Sequence, residues 1–307
     1  MQDIMGVNDI AFPNLGLYLR NVPQGFTIFG FYISLYGVII AIGVMAGIAL
    51  AAHVARKTGQ NPDDYWDFAI YGVIFGVIGA RIYYVVFEWD SYKDNLLEIF
   101  RMRNGGLAIY GGVIAAFITL FVWCRIKKRD PREIGDTAMA GLLLGQIIGR
   151  WGNFTNREVF GKYTDGLLAM RIPLEAVRDR TDITEDIASH ITEGINYIQV
   201  HPTFFYESAL NLLLLAAILL YYRHKRFRGE ICLMYLGGYG IIRFFVEGIR
   251  TDQLKLAGTS IAVSQVLGIV LFGLAVAADV GIRIHLRHNA DRGNGEKAED
   301  TPKTEKA

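Results

Sequence analysis

The sequence is poor in cysteine and lacks the short motifs of several common enzyme classes. Two cysteines, Cys124 and Cys232, occur among 307 residues. Both map to segment ends that we expect to face the reducing cytoplasm, so we expect buried free thiols rather than a disulfide. No group of His, Cys, Asp and Glu has the spacing of a zinc site. There is no glycine-rich phosphate loop, no Ser-His-Asp order with elbow glycines and no basic–aromatic surface typical of nucleic-acid binding.

A signal-peptide pattern is also absent from residues 1–30, because no basic stretch precedes a short apolar core. Hydrophobic residues make up 52% of the chain, a fraction that a soluble protein could share, so their distribution is more informative. Seven apolar runs occur, and most are long enough to cross a hydrocarbon core of about 30 Å. The fourth is the shortest and would need protein neighbours or a locally thinner bilayer. The predicted segments are 31–53, 68–87, 106–124, 134–150, 204–222, 230–247 and 261–283.

Basic residues predict the orientation of these segments. The stretch "RIKKRDPR" (125–132) has five Lys/Arg in eight residues, and "RHKRFR" (223–228) has four in six. Short loops of this kind face the cytoplasm under the positive-inside rule. The two loops lie two segments apart and therefore share a side. With seven spans, the N-terminus is expected outside and the C-terminus in the cytoplasm.

The expected fold class is an all-α polytopic membrane protein of seven transmembrane helices, with a small outer head that contains short strands. Within the head we expect strands at 167–174 and 195–200 and a helix at 184–194, opened by Thr184 and closed by Gly194. A long loop with its own structure is usually functional. The expected regions are an outer N-terminal arm (1–30) with "YLRNVPQGF" as a candidate for resting on the membrane surface, a transmembrane domain (31–283) with an outer loop (88–105) and the outer head (151–203), and a disordered cytoplasmic tail (284–307).

Of the arginines inside the predicted segments, three lie toward the outer ends: Arg81, Arg150 and Arg243. A charge inside the membrane costs at least about 2.5–3.5 kcal/mol and normally faces the protein interior or a wet cavity. Arginine, unlike lysine, grips a phosphate or carboxylate with two parallel hydrogen bonds. Each arginine alone could instead reach lipid headgroups, and Arg243 could simply pair with Glu247. Convergence of three on one leaflet favours an anion-binding site.

Helical spacing groups further residues around these arginines. Tyr239, Arg243, Glu247 and Arg250 fall within about 80° of one helix face at 100° per residue. Upstream of Arg150, a stripe formed by Gly141, Gly145 and Gly149 is typical of closely packed helices. A tightly packed helix thus carries Arg150 to the outer rim of the bundle.

The ligand that suits such a site is anionic and amphipathic, as an outer-leaflet phospholipid is. Binding, flipping and chemistry are all compatible with an arginine-lined cavity. A flippase would also be expected to have polar positions on the inner half and inverted repeats. A non-catalytic receptor for lipid-anchored proteins would not require the embedded arginines.

The stretch "GRWGNFTNREVFG" (149–161) resembles the signature G-R-x-G-N-F-x-N-x-E-x-x-G of the prolipoprotein diacylglyceryl transferase family. Asp136 precedes the fourth predicted helix as it does in the family, and Phe204 replaces a usual glutamine. The resemblance covers about residues 10–285. Its other motifs are "SLYG" (34–37), "GARIYYVVF" (79–87), "HPTFFYE" (201–207) and "YGIIRFFVEGIR" (239–250).

The resemblance implies an enzyme of the bacterial cytoplasmic membrane with its active site toward the outer leaflet. It would transfer a diacylglyceryl group from phosphatidylglycerol to the lipobox cysteine of a prolipoprotein, the first step of lipoprotein maturation. The products would be a thioether and glycerol phosphate, and no metal or organic cofactor is implied. The implied partners are phosphatidylglycerol, prolipoprotein signal peptides and membrane lipids, with no nucleic acid.

Residue roles follow from matching these motifs. Arg150 and Arg243 are the predicted catalytic residues, because fixed arginines at the leaving phosphate stabilise the charge that builds there. Predicted to bind phosphatidylglycerol are Arg150, Asn153, Asn156, Glu158, Gly161, Tyr36, Arg81, Tyr239, Glu247 and Arg250.

The general base stays unassigned. Many family members have H-G-G at the start of the third helix, and that histidine has been proposed as the base. This sequence has "AIYGG", with Tyr110 at the position, and a neutral tyrosine of pKa about 10 is a poor base. Either the histidine is not the base in the family or another group replaces it. A positive field lowering the pKa of the substrate thiol is the simplest alternative, and Tyr110, His201 and Glu207 are candidates to orient substrate.

Overall fold

The computed structural model describes residues 4–101, 105–256 and 258–299, with side chains described up to residue 289. Seven long helices dominate it, and a short helix, α5 (Glu185–Ser189), lies in the outer head. Their positions confirm the seven apolar runs as helices. The long helices are α1 (Leu35–Lys57), α2 (Asp63–Phe87), α3 (Ile109–Lys127), α4 (Pro131–Asn156), α6 (Thr203–Tyr221), α7 (Glu230–Ile249) and α8 (Val263–Glu299).

Six of these helices, all except α4, are long and apolar enough to cross a membrane. Helix α4 carries Asp136, Gln146, Arg150 and the polar residues of its last turn. It packs against α1, α6 and α7, and less extensively against α3. Protein neighbours therefore surround the helix that the sequence marks as the shortest apolar run.

Glycines let α1 and α4 approach closely. A Cβ atom on Gly141 would lie 2.4 Å from the carbonyl oxygen of Gly47, and a Cβ on Gly47 would lie 2.5 Å from that of Gly141. One turn further along, a Cβ on Gly145 would lie 3.4 Å from the Gly43 carbonyl oxygen. The predicted packing role of the glycine stripe is confirmed, since backbone meets backbone where the stripe begins.

The outer head is built on a four-stranded antiparallel sheet in the order β2–β1–β5–β6. A separate hairpin, β3–β4, leads directly into α1. The strands are β1 (Ile10–Phe12), β2 (Leu17–Leu19), β3 (Gly25–Ile28), β4 (Phe31–Ser34), β5 (Met170–Pro173) and β6 (Tyr197–Val200).

The predictions for the head were right in type and wrong in extent. The strands expected at 167–174 and 195–200 are confirmed as the shorter β5 and β6. Thr184 caps α5 by accepting a hydrogen bond from the Ile187 amide, but the helix ends at Ser189. Gly194 instead has a positive φ of 86° in the turn before β6. The first apolar segment begins as strand β4, so α1 starts at Leu35 and not at 31.

The N-terminal arm is part of the head rather than a separate unit. Strand β1 pairs with β5, with Ala11 opposite Arg171. Arg157, 1% exposed, fixes the arm further, because its Nη2 donates to the carbonyl oxygens of Asn8 at 3.0 Å and Val22 at 2.6 Å. The arm is thereby tied to the end of α4.

The cytoplasmic tail expected to be disordered from residue 284 instead continues α8 as far as Glu299. No proline occurs between residues 263 and 301 to break the helix. Residues 300–307 of the predicted tail lie outside the described residues. Cys124 and Cys232 are both free thiols, as expected.

Candidate functional site

The carboxylate of Glu207 on α6 is the centre of a charged cluster between α4, α6 and α7. Its side chain is 1% exposed. Arg150 on α4 donates from Nη2 to Oε1 at 2.7 Å, and Arg243 on α7 donates from Nη1 to Oε2 at 3.2 Å. The Tyr239 hydroxyl donates to Oε1 at 3.2 Å. The structure thus brings both predicted catalytic arginines onto one buried carboxylate.

Neither arginine exhausts its donors in this cluster. A guanidinium has five N–H donors. Arg150 uses one on Glu207 and one on Asn153 Oδ1 at 3.3 Å, while Arg243 uses one on Glu207 and one on Glu247 at 2.5 Å. These bonds leave three donors of Arg243 free toward the described residues, whereas Arg150 also has Tyr239 as a hydrogen-bond partner and keeps fewer, and the side chains are 20% and 15% exposed. The pair can therefore accept a further anion.

A second carboxylate, Glu247 on α7, binds the guanidinium groups of Arg243 and Arg250. Arg243 pairs with it from one turn away, and Arg250 Nη1 lies 3.5 Å from its Oε2. Arg250 also forms two parallel hydrogen bonds to Asp252, at 2.9 and 2.6 Å. The bonds to Asp252 fix the position of the Arg250 guanidinium. From this position Arg250 lies beside Glu247 and helps to hold its carboxylate in place.

The end of α4 forms the polar rim beside Arg150. Asn153 donates to Glu158 Oε1 at 2.9 Å, and Asn156 donates to the same oxygen at 3.4 Å. The other oxygen of Glu158 pairs with Arg178 at 2.9 Å. Asn153, Asn156 and Glu158 thus form one hydrogen-bonded group that contacts Arg150 through Asn153.

Backbone geometry explains how Glu158 turns back toward α4. Arg157 and Val159 on either side of it have positive φ, 54° and 59°. This conformation is uncommon outside glycine and strained for a β-branched residue such as valine. The Val159 carbonyl oxygen accepts a hydrogen bond from the Thr203 hydroxyl, which holds the strained turn against the start of α6.

Two glycines of the signature act through packing. A Cβ on Gly152 would lie 2.7 Å from Cδ2 of Tyr36, so glycine lets this ring rest against α4 beside Asn153. A Cβ on Gly161 would lie 2.8 Å from Cβ of His201, and Gly161 forms a β-bridge with Arg250. Gly161 therefore allows the chain after α4 to pack closely against His201 and Arg250.

Arg81, predicted to bind phosphatidylglycerol, is bonded to backbone carbonyl groups in the structure. Its guanidinium donates hydrogen bonds to five backbone carbonyl groups, and the residue is 6% exposed. All five donors are therefore occupied in this conformation, and the side chain acts as a clamp on the loop between α2 and α3. The acceptors are the carbonyl oxygens of Ile99, Gly105, Gly106, Glu98 and Arg101.

Among the described residues, neither Tyr110 nor His201 forms a side-chain hydrogen bond with Glu207, Arg150, Arg243 or Tyr239. Tyr110, 39% exposed, sits in the first turn of α3 and makes no side-chain hydrogen bond within the described part of the chain. His201 lies 3.1 Å through Nδ1 from the Tyr206 hydroxyl, and its backbone pairs with Gly161 and Lys162. Burial lowers the pKa of His201, so it is uncharged at neutral pH.

Sequence reasoning missed three partners of the site and undervalued a fourth. Arg178 and Asp252 lie outside the matched motif residues, and only the closeness of Asp252 to Arg250 along the chain could have indicated its role. Arg157 occupies a variable position of the signature. Glu207 was a candidate for orienting substrate, and the structure makes it the shared acceptor of the two catalytic candidates.

Comparison with known proteins gives one consistent family. A family model described as prolipoprotein diacylglyceryl transferase matches residues 23–280, a range that contains every residue of the Glu207 cluster. The phosphatidylglycerol–prolipoprotein diacylglyceryl transferase of Finegoldia magna is 40% identical over 247 residues, 80% of this chain and 90% of that protein. Proteins of the same name from Lactobacillus johnsonii and Clostridioides difficile are 39% and 37% identical, covering 81% and 80% of this chain and 86% and 90% of their own lengths.

Proposed function

The chain belongs to the prolipoprotein diacylglyceryl transferase family and is a transferase, and from this premise we propose how its own residues act. The donor is phosphatidylglycerol and the acceptor is the thiol of the lipobox cysteine of a prolipoprotein. The observation that carries the assignment of the site is the pair Arg150 and Arg243, which share Glu207 and do not use all their donors on the described residues.

The reaction is a displacement at the glycerol carbon that bears the phosphate. The cysteine sulfur forms a bond to this carbon as the carbon–oxygen bond breaks, and the electron pair of that bond leaves on the phosphate oxygen. Negative charge therefore grows on the leaving glycerol phosphate. Arg150 and Arg243 hold it with donors fixed in advance by Glu207, which stabilises the transition state more than the bound lipid.

The rim residues hold the headgroup and the arginines in place. Asn153 and Glu158 present a donor–acceptor pair beside Arg150 that suits the hydroxyl groups of the glycerol headgroup. Tyr36 and Tyr239 offer hydroxyls on either side of α4. The thiol proton goes to solvent once the positive field of the arginines has lowered the pKa of the substrate cysteine, which requires no histidine at position 110.

The membrane arrangement follows from the helices and the charges. We place all seven long helices in the membrane. Helix α4 is included because its neighbours α1, α6 and α7 shield its polar groups from lipid. The basic loops at 125–132 and 223–228 then face the cytoplasm. The N-terminus, the sheets and the Arg150–Arg243 cluster lie on the outer side of the cytoplasmic membrane.

A reconstituted transfer assay tests this function. The purified full chain is combined with phosphatidylglycerol labelled in its diacylglycerol part and a lipobox peptide, with a Cys→Ser peptide as control. Label is expected on the cysteine peptide alone, with equimolar release of glycerol phosphate. Movement of labelled lipid between leaflets without transfer to the peptide would contradict the enzyme and favour a flippase.

A further inference from the structure

A polar cavity of about 460 Å³ opens beside the end of α4, away from the Glu207 cluster. Its walls come from the β3–β4 hairpin, the end of α4 and the head segment after β5. The lining residues used below are Gln24, Tyr32, Ser34, Asn156, Glu175 and Arg178. Of the residues described at the candidate site, Asn156 and Arg178 belong to this wall, and Arg150 and Arg243 do not.

The cavity presents polar groups that have no partner. Within the described residues, the side chains of Gln24, Tyr32, Ser34 and Glu175 make no hydrogen bond or ion pair. Ser34 precedes α1 yet its hydroxyl does not cap the helix. Arg178 is paired with Glu158 at 2.9 Å. Donors and acceptors of this mixed kind match the backbone and small polar side chains of a peptide and do not match acyl chains.

A short chain of hydrogen bonds links the wall of the cavity to the phosphate site. Asn156 lines the cavity and donates to Glu158, which accepts from Asn153, which in turn accepts from Arg150. An occupant of the cavity would therefore lie beside the polar rim of the phosphate site, where the carbon–oxygen bond of the lipid is broken. The second substrate must approach that bond with its thiol while its following residues leave toward the outside.

We propose that this cavity binds the residues that directly follow the lipobox cysteine, as an extended polar segment of the prolipoprotein. The inference rests on the proposed function, since it assigns the second substrate of the same reaction. The volume is within the range of ligand pockets, and an extended chain advances about 3.3–3.6 Å per residue, so a few residues fill it.

The charge of the cavity wall predicts which peptide residues the site prefers. Arg178 is neutralised by Glu158, whereas Glu175 has no cationic partner among the described residues. The remaining wall charge is negative, so a lysine in the segment after the cysteine is favoured over an aspartate. A Glu175→Lys variant should reverse this preference.

Peptides of different length test the site. Lipobox peptides that end at the cysteine, or extend one, two, four or six residues beyond it, are compared with the full chain in phosphatidylglycerol vesicles. Peptide kcat/KM is expected to rise about tenfold over the first few added residues, and Gln24→Ala should lower it about threefold to tenfold for long peptides only. Equal kcat/KM for all lengths in the unaltered protein would overturn the proposal while leaving the transferase function intact.

A charge swap separates a real site from a general effect of length. Four-residue extensions carrying Lys or Asp are compared in the unaltered protein, in Glu175→Lys and in Glu193→Lys, a matched change at an exposed head residue outside the cavity. Reversal of the Lys-over-Asp preference in Glu175→Lys alone supports the site. An unchanged preference in Glu175→Lys overturns it, whereas absence of transfer with every peptide and phosphatidylglycerol would instead count against the proposed function.

Discussion

At the scale of single residues, the hydrogen bonds of the arginines separate structural from functional side chains. Arg81 uses all five donors on carbonyl groups, whereas Arg150 and Arg243 bind side chains of the charged cluster and keep donors to spare. All three arginines lie within about two turns of the C-terminal ends of their helices. Sequence position alone gives them equal weight, and only the location of their acceptors distinguishes them.

Replacing Arg150 or Arg243 by lysine should lower kcat by about 10²–10³-fold, the usual cost of one lost preorganised donor. Lysine keeps the charge but cannot make two parallel bonds to a phosphate. The Arg81→Lys variant is the matched control, expected to lower the melting temperature without a comparable fall in kcat per folded molecule. Initial rates of label transfer and thermal melts in detergent measure both quantities. Unchanged rates in Arg150→Lys and Arg243→Lys would refute bidentate binding of the phosphate.

Glu207→Gln should destabilise the protein by about 3–5 kcal/mol at most, because it leaves two largely buried guanidinium groups without their shared carboxylate. Partial exposure of both arginines reduces this cost. A bound phosphate would replace the missing charge, so phosphatidylglycerol should raise the melting temperature more in Glu207→Gln than in the unaltered protein. Glu193→Gln, at an exposed position, controls for the loss of a carboxylate. Equal stabilisation by lipid in all three proteins would argue against a phosphate between the arginines.

Tyr110→Phe should retain most transferase activity, because Tyr110 is 39% exposed and its hydroxyl has no hydrogen-bond partner among the described residues. A proton acceptor would be expected to contact the reacting groups. The pH profile of kcat/KM is the measurement, and it should keep its shape in the variant. Loss of transfer with intact binding of phosphatidylglycerol would show that Tyr110 takes part in proton transfer.

At the scale of secondary-structure elements, the contact between α1 and α4 determines where Arg150 lies. Gly141→Ala should destabilise the protein by about 1–3 kcal/mol and lower activity, since the new methyl group would lie 2.4 Å from the Gly47 carbonyl oxygen and push the helices apart. Gly145→Ala should be milder, with its nearest atom at 3.4 Å. Gly273→Ala in α8 meets no atom within 4 Å and should be neutral or stabilising by up to about 1 kcal/mol. Similar melting temperatures for Gly141→Ala and Gly273→Ala would contradict the close contact.

Local patterns predicted the elements better than they predicted pairing between distant elements. Apolar runs located all seven long helices, and the glycine stripe predicted that α4 packs closely against a neighbour, because both signals lie within one stretch of chain. Pairing of β1 with β5 joins residues such as Ala11 and Arg171 across most of the chain, and no local pattern encodes it. For the same reason, no local pattern indicated that Arg81 would bind carbonyl groups of the loop that follows its helix.

At the scale of the whole molecule, the charged cluster and the polar cavity lie on the same side as the sheets, and the basic loops lie at the other end of the helices. Helix α4 connects the two ends, from Asp130 beside the basic loops to Asn156 at the cavity. It is also the long helix that does not qualify as a span by length and composition. Whether α4 crosses the membrane therefore decides the topology of the entire protein.

Labelling of single cysteines by a membrane-impermeant maleimide tests this topology. In a background with Cys124→Ala and Cys232→Ala, the variants Phe29→Cys, 96% exposed at the tip of the β3–β4 hairpin, and Glu193→Cys should react in intact cells. Arg125→Cys, exposed at the end of α3, should react only after the membrane is opened. The positions 125 and 193 flank α4, so opposite accessibility means that α4 crosses, as its protein neighbours permit. Equal accessibility of both would leave α4 on one side of the membrane, which would separate Arg150 from the outer leaflet or bring the basic loop outside, and would overturn the seven-span arrangement together with the placement of the active site.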